Sequence, residues 1–191
     1  MAFWTTVNGD TSDPKRGFRW QISFDNLTDV GDSVVWFAKK VSKPNFSITE
    51  SKHSFLNHNF YWPGRVEWQE IELTLVDPVS PDAVAKTNQI IAAMGYRIPD
   101  GTMGNDDLSS MSKGKSQGAL GAVTISQLNA EGEPIEIWTL KQAWLKTVKF
   151  GELSYEDDNL VEISLGMRYD WATCDIPSAT DAGSPYYSGQ G

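Results

Sequence analysis

Apolar and polar residues alternate strictly along 160–172, LVEISLGMRYDWA. Val161, Ile163, Leu165, Met167, Tyr169 and Trp171 take one parity, and Glu162, Ser164, Gly166, Arg168 and Asp170 the other. Successive side chains of a strand point to opposite faces, so this pattern predicts one continuous strand with an apolar face and a wet face. The same period runs through FRWQISF (Phe18, Trp20, Ile22, Phe24) and WQEIELTLV (Ile71, Leu73, Leu75). SVVWFAKKV, 33–41, is a further β-rich run closed by Lys43-Pro44. GAVTIS around Val123 and PIEIWTL, 134–140, are weaker strands joined by a turn at Gly132. Asp157-Asp158-Asn159 separates two apolar runs and is expected to be a hairpin turn, because Asp and Asn side chains stabilise turns through the local backbone.

The segment 80–95 changes period. Ser80 is placed to cap a helix, Pro81 suits its first turn, Val84, Thr87, Ile91 and Met94 recur at helical spacing, and Gly95 ends it. Two segments lack any strong period: 45–65, mixed polar and aromatic, and 97–118, rich in Gly, Ser and Asp. Loops of that length are uncommon in a compact domain unless they serve a partner or stay mobile. The expected organisation is an N-terminal arm over 1–17, one domain over 18–172, and a tail over 173–191 with Tyr186 and Tyr187 as aromatic anchors. The fold class expected is mainly β, a two-sheet β-sandwich or partly open barrel with one flanking α-helix.

The length, 191 residues, suits a single domain. No apolar run approaches the roughly 18 residues of a spanning helix, so no membrane role is expected. MAFWTTVNGDTSDPKRG lacks a basic stretch followed by an apolar one, which points to cytosolic synthesis. Cys174 is the sole cysteine, which leaves no intrachain disulfide. The net charge of -9 opposes binding to duplex DNA unless cations are segregated. Lys113 and Lys115 lie in a Gly/Ser-rich stretch, and Lys141, Lys146 and Lys149 are dispersed among Trp138, Trp144 and Phe150. They form no patch.

Catalytic chemistry finds little support. His53 and His58 fall on opposite faces of an extended segment, so a shared metal would need a fold-back. Ser54 beside them lacks the strained turn that exposes a nucleophile. Asp106-Asp107 and the Glu70/Glu72 pair offer no apolar wall to raise a carboxyl pKa, and no Gly-rich loop opens a helix. Neither an enzyme nor a cofactor or metal site is expected.

From Phe18 to Ala172 the chain resembles the tail tube proteins of contractile-tailed bacteriophages. The resemblance rests on FRWQISF, VSKPNFSI, WPGRVEWQEIELTLVDP before the helix, and AWLKTVKFGELSYEDDNLVEISLGMRYDWA at the end. It implies subunits in hexameric rings that stack into a tube, with strands from every subunit closing one inner β-barrel around a channel. Closure of that kind removes exposed strand edges and enforces register. On this view Glu70, Glu72, Glu162, Ser164, Asp170 and Arg168 are candidates to face the lumen, with Arg168 paired to an acidic neighbour, and an acidic wall would repel passing DNA. The segment 45–65, with Asn45, Phe46, Phe55, Phe60, Tyr61, Trp62 and Arg65, is implied to reach between subunits and rings. Implied partners are further copies of the chain, the tail sheath, baseplate and tail terminator proteins, and a tape-measure protein in the lumen. The implied location is the virion tail, assembled in the host cytoplasm. Two alternatives stay open: the tube of a type VI secretion or phage-derived injection system, and a monomeric β-sandwich module binding carbohydrate through exposed Trp.

Overall fold

Alternation along the chain becomes two facing sheets. The computed structural model describes residues 14–26, 38–80, 82–97, 110–156 and 158–177. Its elements in order are β1 (Trp20–Phe24), β2 (Ala38–Val41), β3 (Phe46–Phe55), β4 (His58–Trp68), β5 (Ile71–Val76), α1 (Ala83–Ala93), α2 (Lys113–Leu120), β6 (Val123–Leu128), β7 (Pro134–Lys141), β8 (Trp144–Lys149), β9 (Glu162–Arg168) and β10 (Trp171–Asp175). One four-stranded sheet has the order β1-β6-β7-β10, the second β2-β5-β9-β8, and β3-β4 stands apart as a two-stranded ribbon. Every pairing is antiparallel.

The core lies between the two larger sheets. Ile71, Leu73 and Leu75 of β5 stand opposite Met167, Leu165 and Ile163 of β9, and all six are buried. Ile22, Val123, Ile125 and Leu140 supply the other sheet's side. Each fully buried Leu or Ile contributes roughly 1.5–3 kcal/mol by leaving water. The β6–β7 turn is held by the Asn129 side chain, which accepts from the N–H groups of Glu131 and Glu133 at 3.0 and 2.8 Å. Gly132 takes the left-handed conformation there (φ 83°), as its position at the turn implied.

Several sequence expectations change in detail. The helix cap lies two residues beyond Ser80: it is Asp82, accepting from the N–H groups of Val84 and Ala85 at 2.8 and 3.1 Å. Its buried residues are Ala83, Thr87 and Ile90, with Met94 just beyond, while Val84 and Ile91 are half-buried. Gly95, in the left-handed region (φ 103°), closes it. Within the described part of 97–118 a second helix, α2, starts at a Ser112 cap and buries Ser116, Ala119 and Leu120.

The run 160–172 is two strands, not one. β9 ends at Arg168, the Asp170 N–H donates to the Lys141 carbonyl at 3.1 Å, and β10 continues in the opposite sheet. Parity inverts at that crossing, so Ala172 is buried and Trp171 is 46% exposed. Between β8 and β9 runs a long connection over 150–161, in place of a tight turn at Asp158-Asn159. Asp157, Asp106-Asp107, 33–37 of the second strand, the arm's 1–13 and the tail from 178 lie outside the described residues.

Candidate functional site

Two surfaces bring the sequence candidates together. The first is the outer face of β2-β5-β9-β8. Register places Glu72 opposite Gly166, Thr74 opposite Ser164 and Val76 opposite Glu162. On the next strand Thr147 faces Gly166 and Lys149 faces Ser164. Gly166 lets β8 approach closely, since a Cβ there would lie 3.1 Å from that of Thr147. Glu70, Glu72, Ser164, Gly166, Thr147 and Lys149 line one shallow hollow.

Two carboxylates of this face, Glu70 and Glu162, are matched by cations. Lys146 pairs with Glu70, Lys39 pairs with Glu162, and the Arg168 guanidinium lies 4.0 Å from Glu70. Arg168 thus finds its acidic neighbour within its own chain. Lys40, opposite Thr74, and Lys149 share the face. It is a charge mosaic and not an acidic surface. The lysines come from β2 and β8, whose alternation is blurred by bulges at Ala38/Lys40 and Leu145/Thr147, which is why the sequence pattern showed the acids without their partners. Asp170 stands apart from the group: it lies beyond the end of β9 and pairs with Lys113 of α2 at 2.5 Å.

The second surface is the β3–β4 ribbon. It continues the β2–β5 pair outward, through bonds from the Ser42 N–H to the Glu72 carbonyl (3.0 Å) and from the Gln69 N–H to the Asn45 carbonyl (2.9 Å). Every residue of the ribbon except Trp68 is exposed. Trp68 anchors the base, with its ring 5.1 Å from that of Phe46 and 5.8 Å from that of buried Tyr169. Near the tip, Trp62 lies 6.2 Å from His53 and 6.3 Å from Phe60. The segment expected to be an irregular loop is therefore an ordered ribbon. Its period was invisible because neither face is covered by the chain itself.

A third cluster was missed. Glu136 of β7 is buried among Lys15, Lys43 (2.7 Å) and the Trp138 indole N–H (2.5 Å). Burial alone would raise its carboxyl, but the hydrogen bonds from Lys15, Lys43 and Trp138 and the charge of Lys43 outweigh it and hold the pKa at about 2. Beside it the Gln127 amide donates to the carbonyls of Arg16 and Arg19, both at 2.7 Å. The N-terminal segment and the start of the ribbon are tied to one sheet here. The available signal was parity, since Glu136 shares a strand face with Trp138 and Leu140. Burial, Glu136 and Asp175 push the Cys174 thiol up, which makes it a poor nucleophile. Among the described residues no three His, Cys, Asp or Glu side chains converge as a metal site would need, and no helix is long and apolar enough to cross a membrane.

No protein-family model matches the chain, and no curated protein matches it in sequence. Solved structures do match in fold. A chain of the sheath/tube terminator of the extracellular contractile injection system PVC superposes with a TM-score of 0.61 at 15% identity, over 87% of this chain and 100% of that one. A chain of the six-fold symmetrised baseplate of the anti-feeding prophage gives 0.60 at 15%, over 87% and 98%. The chain shares the fold of these contractile injection system components. A chain of the anti-feeding prophage's tube terminating cap shares this fold at a TM-score of 0.57 and 18% identity, over 92% and 99%.

Proposed function

We propose that the chain is a structural subunit of a contractile tail tube, assembled as stacked hexameric rings whose channel conveys DNA from a phage virion. The observation that carries this reading is the β2-β5-β9-β8 sheet. Its apolar face is sealed in the core, its polar face is uncovered, and among the described residues β2 and β8 each pair on one side only. Exposed edges of this kind invite pairing with another chain, and closure of a sheet around an axis removes them. The polar face, with Glu70, Glu72, Glu162, Ser164 and Arg168, then lines the channel. Asp170, held by Lys113 at the sheet's end, belongs to its rim.

Passage follows from partial neutralisation of the wall's cations and not from repulsion. Strong binding to nucleic acid needs cations free to replace counterions along the phosphate backbone. Lys39, Lys146 and Arg168 are already occupied by Glu162 and Glu70, which leaves Lys40 and Lys149 of this face to meet a passing polyanion. Partial neutralisation of this kind weakens the wall's hold on DNA. The same mosaic suits a protein cargo, and the matched PVC and anti-feeding prophage structures favour that second reading, an injection-particle tube. Sheath, baseplate, terminator and tape-measure proteins are the partners proposed in the phage case.

The test is electron microscopy of the purified chain, alone at high concentration and co-expressed with the neighbouring tail genes. Rings and tubes are expected; a monomer that forms neither under both conditions and binds glycans would instead support a carbohydrate-binding module. Nuclease-protected DNA in purified particles separates the virion from the injection device.

A further inference from the structure

One row of the polar sheet face ends in a lysine on both sides. Register sets Lys40 of β2 opposite Thr74, Thr74 opposite Ser164, and Ser164 opposite Lys149 of β8. Directly opposed residues of a sheet share a face, so all four side chains project to the same side. Lys39 and Lys146, left over at the two bulges, project there too, since they pair with Glu162 and Glu70. Neither edge strand carries an acid: the charged residues of AKKV in β2 and WLKTVK in β8 are all lysines. Among the described residues Lys40 and Lys149 are exposed and form no ion pair. Glu72 belongs to the neighbouring row, with Gly166 and Thr147.

Resting on the tube reading above, we infer that the seam between neighbouring copies is an anion site of the phosphate class, built from Lys40 of one copy and Lys149 of the next. β2, β5, β9 and β8 alternate in direction, so the β8 edge of one copy meets the β2 edge of a copy related by rotation in the antiparallel sense. Parity then keeps Lys40 and Lys149 on one face of the seam. Inside a single chain they stand three strand spacings apart, about 14 Å, too far to share one anion. Across the seam one spacing, about 5 Å, separates their strands, and the long flexible stem of lysine takes up an offset in register. Whatever that offset, neither edge brings a carboxylate to the other's lysines. Like charges facing each other across a strand pair oppose pairing. A phosphate group that accepts charge-assisted hydrogen bonds from both ammonium groups reverses this, and the hydroxyls of Thr74 and Ser164 come next in the row as neutral donors. The isolated chain lacks the site, and there its edge lysines guard against indiscriminate pairing. The phosphate group is that of a free anion or of DNA in the channel.

The experiment follows assembly of the full chain by sedimentation and negative-stain microscopy in three solutions of equal ionic strength: chloride, inorganic phosphate, and chloride with a short DNA duplex. Phosphate or the duplex is expected to lower the concentration needed for rings roughly tenfold once it exceeds its Kd by that factor. Which of them does so identifies the source. Lys40→Gln and Lys149→Gln should each form rings in chloride at a lower concentration than the unaltered chain and lose the response, although each makes a chain of net charge -9 more acidic by one unit. Both lysines are exposed in the subunit, so neither substitution should move its thermal melt. Lys86→Gln removes the same charge from α1 and should respond as the unaltered chain does, which separates the seam from the general salting effect of phosphate. Rings at one threshold in all three solutions, or a response that Lys40→Gln and Lys149→Gln keep, overturn the seam site and leave the tube reading standing. Absence of rings in every solution, from the chain and from both edge variants, overturns both.

Discussion

Leu73 is fully buried at the register position opposite Leu165, where β5 meets β9. Replacing it with Ala removes buried methyl groups and leaves a void, so Leu73→Ala should cost about 2–5 kcal/mol in urea-induced unfolding; a loss below about 1 kcal/mol would mean that the sheets close elsewhere. Glu136 makes a different kind of contribution. Its pKa is depressed in the folded chain to about 2, so its stabilising effect is complete above the ordinary carboxylate range and disappears as pH falls from there through 2. Glu136→Gln should therefore lower stability at neutral pH and flatten the acid limb of the stability profile between about pH 5 and pH 2. An unchanged acid limb in that variant would show that the lysines do not hold this carboxylate. Residue-level patterns foretold Leu73, since its alternation with Glu72 and Thr74 is unbroken. They passed over Glu136, because a charge on the inward parity makes sense only once Lys15 and Lys43, distant in sequence, are brought to it.

At the scale of elements, the legible strands are those with one covered face. β5, β6 and β9 each bury every second residue; β5 and β9 were evident from period two, and β6 was legible as a weaker strand. β3 and β4 bury nothing until Trp68, so their alternation has no inside to report. α2 was hidden for another reason: KGKSQGAL carries two glycines and little apolar content, and its burial comes from tertiary packing instead of from an amphipathic stripe. The break between β9 and β10 escaped because apolar residues run straight through the crossing at Asp170. α1 offers a clean test of local chemistry: removing the two cap bonds in Asp82→Ala should cost about 0.5–2 kcal/mol by thermal or chemical denaturation, whereas Ser80→Ala should be near neutral. In the ribbon, Gly64→Val would force a side chain into Thr49. The expected outcome is faster amide exchange confined to β3 and β4, with the global melting temperature little changed, because the ribbon lies outside the core.

Across the whole molecule, the sandwich class and its flanking helix were readable because a single core demands them. The mixed charge of the polar sheet face was not, since it depends on which lysines the bulged strands β2 and β8 deliver. Exposed ion pairs contribute little to folding, so Lys146→Ala should change stability by no more than about 1 kcal/mol; a larger loss would show that the pairing with Glu70 is structural. The continuity of the ribbon with β2 and β5 has a mechanical side. A pull on its tip runs lengthwise into β5, which is hydrogen-bonded on both flanks to β2 and β9. The bonds resisting that pull are strained together, in shear, and do not open one after another like a zip. Under such a load the chain should fray at its outstretched finger long before its body gives way.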